Sequence, residues 1–187
     1  MFEIHTDHYL PCAIILLISR FFDLLSTWFI TPTFALELNQ WMKTIGWRNT
    51  IIINLLLILL IPLLMGPHSA VMLAVFGAIM AWRNFLIYPM ASVLGEGEYL
   101  RLVREYRVTT SPVRFRIIVM SKFSITVLLG FFILAVGAID HDKKLWFIPD
   151  IARGFMFSGF FLAIMETVLR RSELKSVDKM RTKNITH

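Results

Sequence analysis

The sequence predicts an all-α membrane protein, a polytopic bundle of five transmembrane helices in one domain. Five stretches of the 187-residue chain are apolar and long enough to cross a bilayer, since a spanning helix needs roughly 20 mostly apolar residues. Charged residues make up 17% of the chain, below the about 25% found in soluble domains. The apolar runs are also continuous, whereas the strands of a membrane barrel alternate in polarity over ~10 residues. A helix bundle is therefore the structure that satisfies the backbone in lipid.

The first span is predicted at Tyr9–Thr31. The residues before it contain no Lys or Arg, so it lacks the basic start of a cleaved signal peptide. After the span, apolar residues recur at helical spacing, namely Phe34, Leu38, Trp41, Met42 and Ile45. Pro32 favours a helix start and Gly46 favours a stop. This segment therefore predicts an interfacial amphipathic helix on the membrane surface.

The remaining spans are predicted at Trp47–Met65, Ala70–Leu94, Ile117–Ile139 and Leu145–Leu169. The short connections Gly66–Ser69 and Asp140–Lys144 predict two tight antiparallel hairpins. Small residues recur at a spacing of four on these spans, as Ala70, Ala74 and Ala78, as Gly77 and Ala81, as Gly154 and Ser158, and as Gly159 and Ala163. Small residues permit close helix approach in lipid, so these faces indicate helix packing.

The connection between the third and fourth spans is amphipathic and basic. Apolar Tyr99, Leu100, Val103 and Tyr106 alternate there with Arg101, Arg104 and Arg107. This pattern predicts an extension of the third span that rests on anionic lipid headgroups. The alternative is a solvated connector that is basic because of topology alone. Residues Ser172–His187 are polar, and we expect a disordered tail after a transmembrane domain of residues 1–171.

The distribution of basic residues predicts that the N-terminus lies outside and the C-terminus in the cytoplasm. One side of the membrane would hold thirteen basic residues, Lys43, Arg48, Arg101, Arg104, Arg107, Arg114, Arg116, Arg170, Arg171, Lys175, Lys179, Arg181 and Lys183. The other side would hold only Lys143 and Lys144. Because cytoplasmic loops carry the excess of Lys and Arg, the richer side is predicted to face the cytoplasm of a multi-pass cell-membrane protein.

Charged and polar side chains within the spans predict a cluster in the cytoplasmic half of the bundle, made of Arg20, Asp23, Arg83, Asn84, Lys122 and Glu166. An unpaired charge at mid-bilayer costs at least about 2.5–3.5 kcal/mol, so such groups face the interior and pair. A functional interpretation is a site for an ion, a proton or an anionic headgroup. A structural interpretation is a set of interhelical ion pairs, with Lys122 and Glu166 extending to the interface.

The predicted outer side carries His5, His8, His68 and His141 beside several acids, and the pair Asp150 and Arg153 at the start of the last span. Imidazole and carboxylate groups bind zinc or copper where loops bring them together. No helical metal-binding signature supports such a site here. These histidines are therefore expected to be the polar residues of loops that are poor in Lys and Arg, and no metal or other cofactor is predicted.

The run from Asp23 through Ser26 and Thr27, followed by Glu37 and Asn39, resembles a group of small uncharacterised prokaryotic membrane proteins. Their first helix carries D-x-x-[ST]-T and the next segment carries E-x-N-P, whereas this chain has Gln40 in place of the proline. The resemblance covers about 20 residues. It implies that Asp23, Glu37 and Asn39 act together, and it implies no activity.

The chain contains no P-loop, dinucleotide fingerprint or nucleophile elbow. An enzyme is therefore not favoured, although a membrane enzyme acting on a lipid-linked phosphate substrate stays open. The favoured hypothesis is a non-catalytic subunit or assembly factor of a larger membrane complex. The alternative is a small transporter or ion-handling protein that uses the charge cluster. The lipid bilayer, anionic headgroups and other membrane subunits are the predicted partners. Nucleic acid is not, because the basic residues flank membrane spans.

Overall fold

The computed structural model describes residues 8–33, 40–139 and 147–185, and these residues form six helices. They are α1 (Tyr9–Ile30), α2 (Gln40–Leu64), α3 (Gly66–Leu94), α4 (Glu96–Thr109), α5 (Pro112–Ile139) and α6 (Ile148–Ile185). Five of them, all except α4, are long and apolar enough to cross a membrane. Each of the five predicted apolar spans therefore corresponds to a long helix.

The helices α1, α3 and α6 run in one direction, and α2 and α5 run in the other. Ser19 contacts Ala74 while Thr27 contacts Asn84, so α1 and α3 are parallel. His68 meets Asp150 and Phe76 meets Phe157, so α3 and α6 are parallel as well. We call the end with the N-termini of α1, α3 and α6 the N-terminal face, and the opposite end the C-terminal face.

The bundle is centred on α3, which packs against α1, α2 and α6, while α5 packs mainly against α6. Leu16, Ile58 and Ala74 form the buried apolar cluster where α1, α2 and α3 meet. The predicted small-residue faces are used inside the chain. A Cβ atom on Gly77 would lie 2.6 Å from Ser19 Oγ, and one on Gly154 would lie 2.6 Å from Val75 Cβ.

Two predictions about the C-terminal face are corrected. The basic connection is a separate helix, α4, because Gly95 adopts φ 78° and ends α3. The tail that was expected to be disordered is helical as far as Ile185. Its residues include strong helix formers such as Glu173, Leu174 and Lys175, and Glu173 is paired with Arg107 of α4 at 2.9 Å.

The predicted interfacial helix is described only in part, because residues 34–39 lie outside the described ranges. The described backbone is helical from Gln40. At Gly46 it takes φ 71° and ψ 173°, which separates the short first piece of α2, residues 40–45, from the long piece, residues 47–64. The predicted stop at Gly46 is therefore observed as a break in the helix.

Candidate intramembrane polar site

The interface between α1 and α3 changes character halfway along α1. Toward the N-terminal face it is apolar, with Cys12 and Leu16 of α1 buried and Ala74 packed from α3. Ser19 marks the change, because its hydroxyl donates to the backbone carbonyl of Ala74. From Arg20 to the C-terminal face, side-chain hydrogen bonds join the two helices, beside an edge contact between the rings of Phe29 and Tyr88. We call these two regions the apolar half and the polar half.

Arg20 and Asp23 form the first contact of the polar half. Arg20 is only 9% exposed, and its Nη1 donates to Asp23 Oδ2 at 3.1 Å. The spacing of three residues places both side chains on one face of α1, as the sequence predicted. The guanidinium carbon also lies 5.8 Å from the centre of the Phe76 ring on α3, within the range of a cation–π contact. The Nε atom is buried and has no hydrogen-bond partner among the described residues.

Asn84 of α3 bridges to α1 one turn further along. Its Nδ2 atom donates to Thr27 Oγ1 at 3.0 Å and to Ser26 Oγ at 3.2 Å. Both hydroxyls donate in turn to the backbone carbonyl of Asp23, at 2.8 and 2.9 Å. The Asp, Ser and Thr of the D-x-x-[ST]-T run therefore lie in one hydrogen-bonded network.

The polar half ends at the C-terminal face on Glu96, the first residue of α4. Its carboxylate accepts hydrogen bonds from Thr31 and Thr33, the latter at 2.8 Å. Trp47 of α2 closes the same end, because its indole nitrogen donates to the carbonyl of Pro32 at 2.8 Å. Polar contacts are therefore found at the middle of α1 and again at the C-terminal face.

The second helix adds two buried polar residues that the sequence analysis missed. Thr50 and Asn54 of α2 are almost fully buried, and Asn54 donates to the carbonyl of Thr50 at 2.9 Å. They precede Ile58 at a spacing of four, and Ile58 packs on Leu16 and Ala74. The same face of α2 therefore turns toward α1 and α3. The signal that could have revealed them is an Asn four residues after a Thr within an apolar span.

Lys122 and Glu166, also predicted members of the cluster, are paired between α5 and α6. Lys122 Nζ donates to Glu166 Oε1 at 2.9 Å. Glu166 is mostly enclosed, whereas the Lys122 side chain is 61% exposed on the outside of the bundle. The predicted cluster residues are thus found in two interfaces, one between α1 and α3 and one between α5 and α6.

The predicted outer pair forms a three-residue contact at the N-terminal face. Asp150 is 1% exposed and accepts from Arg153 Nη1 at 2.9 Å. Its other oxygen lies 2.6 Å from His68 Nδ1 of α3. The carboxylate joins α3 to α6 and lies in the first turn of α6, where the helix dipole favours a negative charge. The sequence predicted the pair with Arg153 and missed the partner on α3.

The other predicted residues are placed as follows. Arg83 is half-buried on α3, next to Asn84, and His8 precedes α1 with φ 59°. His5, Glu37, Asn39 and His141 lie outside the described residues. Within the described ranges, no group of three or more His, Cys, Asp or Glu side chains is arranged to hold a metal ion.

A further polar contact at the C-terminal face ties α4 to α6. Arg107 of α4 pairs with Glu173 at 2.9 Å, and Arg170 donates to the carbonyl of Thr110 at 2.6 Å. The Arg170 guanidinium also lies 4.3 Å from the centre of the Phe115 ring. On α4 itself, Arg101 donates to the exposed carboxylate of Glu98 and lowers the pKa of Glu98.

No protein-family model, curated protein or solved structure matches this chain.

Proposed function

We propose that this protein is a non-catalytic subunit of a membrane complex, and that α5 is the helix through which it joins its partner. The observation that carries the proposal is the exposure of Lys122. This residue lies within the span Pro112–Ala135, yet its side chain is 61% exposed even though it pairs with Glu166. A charged side chain at that depth is costly against lipid. A transmembrane helix of another chain that covers this surface removes the cost.

Two features of α5 support this proposal. Only 11% of its span is buried within the chain, against 22–33% for the other four spans. Ser121 and Ser124 flank Lys122 and are exposed as well. Hydroxyl groups favour helix contacts in lipid, because they form hydrogen bonds across the interface. The small-residue faces are weaker evidence for a partner helix, since Gly77 and Gly154 already pack against side chains of the same molecule.

The proposal is tested by site-specific photocrosslinking in native membranes. A photoreactive residue replaces Ile125 on α5 or, as a matched control, Leu59 on α2, both of which are exposed apolar positions. We expect a protein adduct of one defined mass from position 125 and none from position 59. Lys122→Met should abolish the adduct. Mass spectrometry of the adduct then identifies the partner as a second copy or as another chain. Equal yields at both positions, or lipid adducts alone, would contradict the proposal.

We also propose that the N-terminal face lies outside the cell and the C-terminal face in the cytoplasm of the cell membrane. The basic side chains of α4 and of the end of α6 support this orientation, and there they would meet anionic headgroups. An impermeant thiol reagent added to intact cells should label a cysteine in place of His68 and spare one in place of Arg104, tested with Cys12 replaced by Ala. Labelling of position 104 from outside would reverse the orientation.

A further inference from the structure

We propose that the polar half of the α1–α3 interface binds a small oxyanion, of the carboxylate or phosphate class, with Arg20 as its main ligand. This site is independent of the assembly surface on α5. The proposal rests on an unsatisfied donor, on its depth in the membrane and on the polar side chains between it and one face.

The unsatisfied donor is the Nε–H group of Arg20. Asp23 accepts from Nη1, but the buried Nε atom has no acceptor among the described residues. A guanidinium carries five N–H donors, and a buried donor without a partner destabilises the structure. The Nε–Nη2 edge is the one that binds carboxylate and phosphate groups through two parallel hydrogen bonds. With Asp23 on Nη1, this edge is the part of Arg20 that an oxyanion would occupy.

The depth of Arg20 distinguishes a small soluble anion from a lipid headgroup. Arg20 lies in the middle of the 22-residue helix α1, about 15 Å from either end at 1.5 Å per residue. Lipid phosphates lie at the two surfaces of a hydrocarbon core that is about 30 Å thick. A headgroup would therefore have to leave its leaflet surface to reach Arg20. Membrane transporters, by contrast, bind their solutes near the midplane.

Polar side chains lie between Arg20 and the C-terminal face. Thr31 donates a hydrogen bond to Glu96, and Asn84 donates one to Thr27. Such contacts can be exchanged for contacts with water or with a solute. Beyond Arg20, toward the N-terminal face, the interface is filled by Leu16, Ala74 and Ile58. An anion would therefore reach Arg20 from the C-terminal face, once these polar contacts exchange.

The electrostatics of the site fit an anion that reaches it from this face. Asp23 neutralises part of the charge of Arg20 and fixes the guanidinium by a hydrogen bond. Arg83, next to Asn84 on α3, adds a second cation between Arg20 and the C-terminal face. The Phe76 ring lies against the guanidinium and itself packs on Phe157 and Phe161 of α6. Asp23 and Phe76 thus act as positioning residues, while Arg20 would contact the ligand.

The experiment uses the full chain with ¹⁵N-labelled arginine in nanodiscs of zwitterionic lipid. Acetate and inorganic phosphate are titrated as probes while the arginine Nε–H resonances are recorded by NMR. We expect one resonance, assigned to Arg20 by its loss in Arg20→Lys, to shift saturably with at least one probe. Asn84→Ala removes the bridge from α3 to Ser26 and Thr27 and should weaken the apparent affinity by about tenfold, because α1 and α3 are then held less firmly around Arg20. Arg153→Gln, at the opposite face, should leave the titration unchanged.

Three results would overturn the proposal. In the first, the Arg20 resonance does not respond to either probe and exchanges rapidly with water, which identifies water as the only acceptor. In the second, the shift grows linearly without saturation, which identifies an adventitious ion only. In the third, the shift requires phosphatidylglycerol in the nanodisc and no soluble probe, which identifies a headgroup. If Arg20→Lys fails to fold, the double variant Arg20→Gln with Asp23→Asn, which removes the charge together with its partner, supplies the assignment.

Discussion

The apolar and polar halves of the α1–α3 interface join the same two helices by different forces. In the apolar half, Leu16 and Ala74 pack closely, and their side chains have no polar groups that could exchange partners with water. In the polar half, Asn84 holds Ser26 and Thr27 through hydrogen bonds that have solvent or solute alternatives. The apolar half therefore fixes the two helices together, whereas the polar half can exchange its contacts for those of a ligand.

The largest expected effect comes from breaking the ion pair in the polar half. Asp23→Asn leaves the Arg20 charge buried without its partner, and we expect a loss of about 3 kcal/mol in the free energy of unfolding. The double variant Arg20→Gln with Asp23→Asn should lose less than the sum of the two single variants. Equilibrium unfolding in mixed micelles measures these values. Strict additivity would show that Asp23 is not the partner that stabilises Arg20.

The next effect comes from the apolar half. Leu16→Ala removes packing at a fully buried position, and we expect a loss of about 2 kcal/mol in unfolding free energy. The control is Leu17→Ala, because Leu17 is the next residue and faces outward at 46% exposure. Its stability should stay close to that of the unsubstituted chain. The Arg20 titration should be unchanged in both variants. Equal losses at positions 16 and 17 would mean that the apolar half does not hold the helices together.

A smaller effect is expected from the bridge between the helices. Asn84→Ala removes the amide that contacts both Ser26 and Thr27, and we expect a loss of about 1 kcal/mol. Asn49→Ala is the control, since Asn49 is exposed and bonds only within its own helix among the contacts observed. Unfolding of the two variants under the same conditions measures the difference. No difference between them would remove Asn84 from the set of contacts that join α1 and α3.

The smallest effect is expected on α4, outside the bundle. Arg101 lowers the pKa of the exposed Glu98 carboxyl. The pair therefore stabilises α4 at pH values above the ordinary pKa of a glutamate. That stabilisation is lost as the pH falls through the lowered pKa of Glu98. Glu98→Gln should remove this pH dependence without a measurable change in the stability of the bundle, because exposed pairs contribute little. Circular dichroism recorded against pH compares the helix content of the variant with that of the unsubstituted chain. Global unfolding of the variant would contradict this prediction.

The sequence predicted the five spans because hydropathy depends on the bilayer alone. It also predicted that Arg20 would be close to Asp23, since a spacing of three fixes two side chains on one face of a helix. It predicted the hairpin of α5 and α6 from their short connection. It could not predict that α3 would pack against α1 and α6, because every span is apolar and its composition does not identify its neighbours. For the same reason it missed Thr50 and Asn54 of α2 and the contact between His68 and Asp150.

The helical C-terminal segment was missed for a different reason. Residues after Arg171 are mostly polar, and a polar segment at a chain end predicts disorder. In the structure Arg107 of α4 binds Glu173 of α6, so a contact between segments distant in sequence stabilises a helix that composition alone did not indicate. The break at Gly95, which lets α4 reach α6, depends on a positive φ that glycine adopts without strain.

The most direct test of the division between the two halves is the rate of thiol modification at Thr27→Cys and Leu16→Cys. Both are made with Cys12 replaced by Ala, reconstituted in liposomes and exposed on both sides to a water-soluble, impermeant reagent. Position 27 is predicted to react, and acetate or phosphate should slow it, whereas position 16 should stay unmodified. Equal rates at the two positions, or no reaction at position 27, would contradict the account.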